Sequence, residues 1–209
     1  MKNKDHFQIF GITTSNFELL ELLKAWLVVG IAFAVVLSKQ FGSFFQAISV
    51  ALICVGTGFL FHELGHKISA IKKGYFAEFR SNGFMLFLAL LFSLFGFIFA
   101  APGAVVIYPK VDIYGRKRGI HPIENGIISM WGPLTNIILA VVFLGLTFIV
   151  KTGFANTIFK YGLLINAWIA FFNMLPFGNF DGKKIFFWNK LVYFAILACS
   201  VLLMTVYYL

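Results

Sequence analysis

The sequence GFLFHELGHKISA, residues 58–70, places two histidines and a glutamate at the end of a long apolar run. The apolar residues before it are numerous enough for a membrane-spanning helix, which needs about 20 of them. A charged side chain at the centre of such a helix costs about 2.5–3.5 kcal/mol on insertion scales. Polar groups at this depth therefore predict a bound partner that offsets the cost.

The composition indicates an integral membrane protein. Of the 209 residues, 60% are apolar and only 12% are charged, and the mean hydropathy is +0.90. A soluble domain of this length needs more charged surface. The formal net charge is +9, but the basic residues flank the apolar runs, as the positive-inside rule describes. We therefore expect the lipid bilayer, and no nucleic acid, as a partner.

The apolar runs predict an all-α polytopic fold with about five spanning helices. They cover approximately residues 15–38, 43–69, 127–150, 158–176 and 191–209. A further uncharged run, residues 84–107, is broken by Gly96 and by Pro102-Gly103, so a re-entrant or short β element is predicted over residues 84–108. We find no repeat and no linker. A single domain over residues 1–209 is expected, with a catalytic core at about 43–182, no separate soluble domain and no cleaved signal peptide.

The segment His62-Glu63-Leu64-Gly65-His66 matches the pattern H-E-x-x-H. Histidines four positions apart lie on one face of a helix, about 6 Å apart along its axis, and both can bind one Zn²⁺ ion. Glu63 follows the first histidine and is placed to act as general base for water. The alternative is a histidine pair packed at a helix end with Glu63 solvated. The spacing favours a site for one zinc ion per chain.

Zinc needs at least one more protein ligand. Apart from Glu63, Asp181 is the acidic residue in an otherwise apolar stretch, residues 171–188. Pro176 breaks the helix before it, and non-helical backbone at membrane depth is tolerated where it lines a cavity. We therefore predict Asp181 as a ligand, over the alternative of an ordinary Asp-Gly turn. His121 competes for this role, but it precedes a proline in a basic loop and is predicted to be solvated.

The position of Asp181 constrains the topology. To meet the two histidines, the chain must cross the membrane an even number of times between them. Three apolar runs intervene, so one must be re-entrant, and the broken run 84–107 is the candidate. The basic residues that follow the second span and those of loop 109–125 then share one side, which the positive-inside rule makes cytoplasmic. A chain this compact indicates a prokaryotic plasma membrane, with the active site near the cytoplasmic face.

Three motifs resemble those of the site-2 protease family of intramembrane zinc metalloproteases. Residues 62–70 are similar to the family's H-E-x-G-H-x-x-x-A. Residues 173–182 resemble its N-x-x-P-x-x-P-x-D-G, with Asn179 in place of the second proline. Residues 132–136 are similar to its G-P-x-x-N. Together the motifs span residues 62–182, the expected catalytic core.

The resemblance implies a set of site residues: the zinc ligands His62, His66 and Asp181, and the catalytic base Glu63. It also implies that Asn136 and Asn173 bind the substrate backbone or the oxyanion, although helix–helix hydrogen bonds are the alternative for both. Pro133 is expected at the start of a helix. The stretch 101–109 is expected to form an edge strand that pairs with an extended substrate, or else the second arm of a re-entrant hairpin without substrate contact.

The predicted activity is hydrolysis of peptide bonds in or near transmembrane segments of membrane-protein substrates, as in regulated intramembrane proteolysis. Two other classes stay open: a non-catalytic zinc-binding membrane protein related to such proteases, and a metal transporter. The intact Glu63 argues against the first, because a site without turnover needs no base beside its ligand. A single ligand cluster near one face argues against the second.

Overall fold

In the computed structural model the chain forms a bundle of helices with short strand pairs inserted between them, described for residues 6–9, 11–98, 102–111 and 117–208. The helices are α1 (Asn16–Phe41), α2 (Phe44–Val55), α3 (Phe61–Lys72), α4 (Gly83–Leu94), α5 (Pro122–Ile149), α6 (Gly153–Asn173), α7 (Asp181–Trp188) and α8 (Lys190–Val206). A π-helical turn (Gly56–Leu60) joins α2 to α3. The strands form antiparallel pairs: β1 (His6–Ile9) with β2 (Ile12–Ser15), β3 (Phe76–Ser81) with β4 (Gly103–Tyr108), and β5 (Lys110–Val111) with β6 (Lys117–Arg118).

Among the described helices, three are long and apolar enough to cross a membrane: α1, the continuous helical run Phe44–Lys72, and α5. These helices confirm a helical membrane protein, but not the predicted count of about five spans. Helix α6 has 21 residues but carries a lysine and three asparagines, which lower its hydropathy. Helix α8 has 17 residues and α4 has 12. Length and composition therefore support fewer spanning helices than the apolar runs had indicated.

The predicted start of the first long helix is confirmed. Ser15 is the N-cap of α1, and its hydroxyl accepts a hydrogen bond from the Glu18 N–H at 3.1 Å. The helix ends at Phe41, where Gly42 takes the left-handed conformation (φ 67°) and its N–H donates to the Ser38 carbonyl. The sequence thus fixes both ends of α1 locally.

The broken apolar run does not form one straight element. It divides into α4 and β4, and β4 pairs with β3 so that Gly103 lies opposite Ser81. The Asn82 N–H donates to the Pro102 carbonyl at 2.8 Å, so the chain returns to the point from which it left. The short β element is confirmed, and the return path has the shape that a re-entrant segment needs. Residues 99–101 of this run, and 112–116 of the basic loop, lie outside the described residues.

Helix α5 occupies the centre of the part of the bundle that carries the site. It packs against α3, α6, α7 and α8. It begins at Pro122, with His121 as its N-cap, so the expectation that Pro133 starts a helix is wrong. Pro133 lies inside α5 and is buried. Because proline has no N–H, Pro133 cannot donate the usual helical hydrogen bond to the carbonyl of Ser129.

Candidate metal centre and its cavity

The structure brings the three predicted metal ligands together. His62 and His66 stand one turn apart on α3, and Asp181 is the first residue of α7. The Nε2 atom of His66 lies 3.1 Å from Nε2 of His62 and 2.9 Å from Oδ2 of Asp181. The Nε2 atom of His62 lies 3.4 Å from the same carboxylate oxygen. All three side chains are buried, and in the described part of the chain no other group of His, Cys, Asp and Glu is close enough to share an ion.

A chain of hydrogen bonds fixes the tautomer of His62. The Asn166 amide donates to the Gly162 carbonyl at 2.9 Å, so its oxygen faces Asn136. The Nδ2 atom of Asn136 donates to Asn166 Oδ1 at 3.0 Å and to the Gly58 carbonyl at 2.9 Å. Its oxygen therefore faces His62, with Oδ1 2.6 Å from Nδ1. Because an amide oxygen only accepts, Nδ1 of His62 carries a hydrogen, and in the neutral ring Nε2 then carries the lone pair.

His66 is held in the same tautomer. Its Nδ1 lies 2.9 Å from the backbone carbonyl of Ile128, which can only accept a hydrogen bond. With both rings neutral, two imidazole lone pairs and the Oδ2 atom of Asp181 therefore converge on one point. Such an arrangement is repulsive unless a cation lies at that point.

The donor set and its spacing fit a zinc ion. Two ligands at about 2.1 Å from a tetrahedral ion lie about 3.4 Å from each other. The observed separations of 2.9–3.4 Å are close to that value. Two imidazoles and one carboxylate, with a fourth position left for water or substrate, are the ligands found in catalytic zinc sites.

A glycine allows α5 to reach the histidines. A Cβ atom added at Gly132 would lie 2.7 Å from Cε1 of His62 and would overlap the ring of His66. Gly65 on α3 faces the same crossing, where a Cβ would lie 2.8 Å from the carbonyl of Trp131. Small residues at such crossings let membrane helices approach closely. The close approach of α3 and α5 places the Ile128 carbonyl against His66.

The predicted break before Asp181 is present. Helix α6 ends at Asn173, and Gly178 adopts a left-handed conformation (φ 58°) in the connection to α7. This turn directs Asp181 back toward α3. Its second oxygen, Oδ1, accepts a hydrogen bond from Nζ of Lys184 at 3.3 Å. Lys184 was not predicted, although its i+3 position from a predicted ligand on a helix is a usable signal.

Glu63 is buried beside the ligands. Its Oε2 atom has no hydrogen-bond partner among the described residues, and the backbone of Val105 lies next to the carboxylate. A buried carboxylate oxygen without a partner is rare and calls for a water molecule, an ion or a substrate atom. Glu63 lines a cavity of about 580 Å³ that is also lined by the three ligand residues. The cavity therefore places a proton acceptor next to the candidate metal position.

The two predicted asparagines have different surroundings. Asn173 lines the cavity, and its amide donates to the Ile169 carbonyl at 3.0 Å. Asn136 is fully buried behind His62, and both of its amide hydrogens are engaged. Asn136 therefore has no free N–H to offer an oxyanion and positions His62 instead. His121, the competing ligand, is exposed at the start of α5 and lies outside the cluster.

One edge of β4 faces the site. The Phe79 N–H donates to the Glu18 carboxylate at 3.0 Å and so points away from β4. Phe79 pairs with Val105. Because these two residues exchange no hydrogen bonds, the backbone N–H and C=O groups of each point away from the other strand. The backbone of Val105 is accordingly directed toward Glu63. The outer edge of β4 borders the cavity, as expected of an edge strand.

A buried ion pair between α1 and α3, the helix that carries His62 and His66, was not predicted. Lys67 follows His66, and its Nζ lies 2.5 Å from Oε2 of Glu18. Glu18 is 1% exposed, although it lies in the first turn of α1. It also accepts from the hydroxyl of Thr14 at 2.9 Å. Together with the Phe79 contact, these bonds connect α1, α3 and β3 through a single carboxylate.

The comparison with known proteins gives one informative relative. A protein of Methanocaldococcus jannaschii, named a putative zinc metalloprotease, is 44% identical to the chain over 146 residues. The match covers 69% of this chain and 72% of the relative. No protein-family model matches the chain, and no solved structure matches it significantly.

Proposed function

The chain belongs to the same family as this archaeal protein, and on that premise we propose that it is a zinc metalloprotease that cuts peptide bonds in or near the transmembrane segments of membrane proteins. The finer assignment, to the site-2 protease type and to regulated intramembrane proteolysis, rests on the three sequence motifs. The apolar helices support a membrane location.

One observation carries the proposal. Nε2 of His62, Nε2 of His66 and one oxygen of Asp181 converge on a point that a cation would occupy, and the buried residue Glu63 lines the same cavity. A protein that only stores zinc gains nothing from a buried base beside the ligands. The arrangement therefore favours catalysis over non-catalytic zinc binding. Transport is disfavoured because the described residues form a single ligand cluster.

The buried site residues have two roles in the proposed reaction, as metal ligands and as general base. A zinc ion held by His62, His66 and Asp181 would polarise the scissile carbonyl and activate water. The Glu63 carboxylate takes the proton of the attacking water and delivers it to the leaving amine. Because the carboxylate is buried beside the ligands, little solvent has to reorganise around it when the reaction begins.

The substrate has to be extended to be cut, and β4 offers a place for it. A peptide added to the outer edge of β4 would run along the cavity and present its backbone to Glu63. Asn173, in the cavity wall, is the candidate to bind the substrate backbone or the oxyanion. We assign one zinc ion per chain and a site near the cytoplasmic face of a prokaryotic plasma membrane. The substrates are membrane proteins that carry a transmembrane segment.

The test compares the wild type with Glu63→Gln and with Glu124→Gln, a change at the start of α5 that lies away from the ligands. Zinc content is measured on each purified protein, and each is incubated with transmembrane-segment substrates. We expect one zinc ion in all three proteins and cleavage by the wild type and Glu124→Gln only. Equal cleavage by Glu63→Gln would overturn the role of Glu63. Zinc without cleavage of any substrate would favour the non-catalytic protein, and zinc flux in proteoliposomes would favour transport.

A further inference from the structure

A second cavity, of about 470 Å³, adjoins the catalytic one. Both cavities are lined by Glu63 and Val105, so the general base lies where they meet. The wall of the second cavity consists largely of apolar side chains from α1, the π-helical turn and α3, among them Leu19, Leu22, Leu23, Trp26, Leu60 and Leu64. A volume of this size is within the range of ligand pockets and accommodates a bulky side chain.

Apart from Glu63, the hydroxyl and charged side chains in its wall are bonded to one another. Glu18 accepts from Thr14 at 2.9 Å and pairs with Lys67 at 2.5 Å, so the two charges neutralise each other. These three residues leave no charge to attract a polar ligand, and a polar side chain placed among the leucines would lose its hydrogen bonds to water. The second cavity therefore suits an aliphatic or aromatic group.

Strand β4 gives a reason why a substrate side chain would enter it. Burial alternates along the strand: Val105 and Ile107 are half-buried, whereas Ala104 and Val106 are exposed. A peptide paired with the outer edge of β4 follows the same alternation, because successive side chains point to opposite faces of a sheet. Every second substrate side chain then lies on the face of Val105, which lines the second cavity.

We propose that this apolar cavity is the specificity pocket of the protease, and that it takes a large aliphatic or aromatic side chain of a residue adjacent to the scissile bond. The pocket lies adjacent to the bond because Glu63, the proton acceptor, forms part of its wall. The inference rests on the proposed proteolytic function and adds the class of residue that the site selects.

The experiment uses one transmembrane-segment substrate in which each residue around the cleavage position is changed in turn to Ala, Leu, Phe and Asp. At one position we expect Leu and Phe to be cut about tenfold or more faster than Ala or Asp, the selectivity that an apolar pocket supplies. Leu23→Trp, which fills the pocket from a residue that is 44% exposed, should reverse the preference toward Ala at that position. Leu20→Trp, on the same helix but 63% exposed and outside the pocket, is the matched control and should leave the preference unchanged.

The possible results distinguish a failure of the proposed specificity pocket from a failure of the proposed proteolytic function. Cleavage at equal rates whatever the residue, or an equal loss for all substrates in Leu23→Trp, would overturn the pocket while leaving the protease intact. A photocrosslinking amino acid at position 23 of the Glu63→Gln protein tests occupancy without turnover. Crosslinks to Leu and Phe substrates but not to the Ala substrate would support the pocket even where no cleavage is seen. Absence of crosslinks to all substrates would overturn it.

Discussion

The Nδ1 atom of His62 lies 2.6 Å from Oδ1 of Asn136, and this contact decides which nitrogen of His62 faces the ligand cluster. The amide of Asn136 cannot turn over, because both of its hydrogens are bonded to Gly58 and Asn166. Partners of this kind orient a ligating histidine and raise its basicity. The tautomer of His62 therefore depends on contacts with α5 and α6 as much as on α3.

Replacing Asn136 should weaken zinc binding. Asn136→Leu removes the acceptor for His62, and we expect the zinc affinity to fall by about 10–100-fold, the usual effect of losing such a partner. Asn136→Asp keeps an acceptor for His62 but loses the hydrogens donated to Gly58 and Asn166. That variant should retain zinc and melt at a lower temperature. Zinc affinity is measured by chelator competition and stability by thermal unfolding.

Asn156→Leu is the control for the two Asn136 variants. Asn156 lies near the start of α6, at the opposite end of that helix from Asn173, which lines the cavity of the site. Its affinity for zinc should equal that of the wild type. An unchanged affinity in Asn136→Leu would show that the Nδ1 contact does not set the tautomer.

A methyl group at one glycine should abolish zinc binding. In Gly132→Ala the new Cβ would lie 2.7 Å from Cε1 of His62 and would overlap His66, so both rings have to move. Gly145→Ala is the matched control on the same helix, since its Cβ meets nothing within 4 Å. The control should gain about 0.5–1 kcal/mol of stability, the ordinary effect of this change in a helix. Zinc content of the purified, folded proteins decides the matter, and full zinc in Gly132→Ala would contradict the geometry.

Helix α3 and its H-E-x-x-H motif could be predicted from the sequence, because the two histidine ligands lie within one turn of the same helix. The i and i+4 spacing alone brings His62 and His66 to one face of a helix. Asp181 followed from the scarcity of acidic residues in apolar segments and from the helix break before it. Both inferences used constraints that act along the chain, and the positions of all three side chains agree with them.

The remaining features depend on contacts between distant segments. Strand β3 lies in a stretch that carries no clear strand pattern, and it forms because β4 returns beside it. Pro133 reads as a helix start, yet it sits inside α5 because neighbouring helices stabilise a proline at membrane depth. The partner of Glu18, Lys67, is 49 positions away in the sequence. An apolar run likewise shows that a segment is hydrophobic, but not whether its helix is long enough to span a membrane. The predicted number of spanning helices was therefore higher than the number of long apolar helices among the described residues.

Lys184 should support zinc binding through Asp181. Its Nζ donates to Oδ1 at 3.3 Å and so holds the carboxylate with Oδ2 toward the histidines. In Lys184→Met we expect a zinc affinity about tenfold lower, because the carboxylate is free to rotate. Lys184→Arg keeps a donor and should recover most of the affinity. The adjacent Lys183 is exposed, and Lys183→Met should bind zinc like the wild type. Equal affinities in the two methionine variants would show that Lys184 does not position Asp181.

The buried Glu18–Lys67 pair should stabilise the packing of α3 against α1. Removing one partner leaves an uncompensated buried charge, so Glu18→Gln and Lys67→Met should each lower the free energy of unfolding by about 3–5 kcal/mol. The double variant Glu18→Leu/Lys67→Met leaves no such charge and should lose less than the sum of the two single changes. Lys24→Met is the control, because it breaks the solvent-exposed pair with Glu21 and should cost at most about 1 kcal/mol. Unfolding is followed by heat or denaturant in detergent, and losses in the single variants as small as that of Lys24→Met would show that the pair is not what holds α1 to α3.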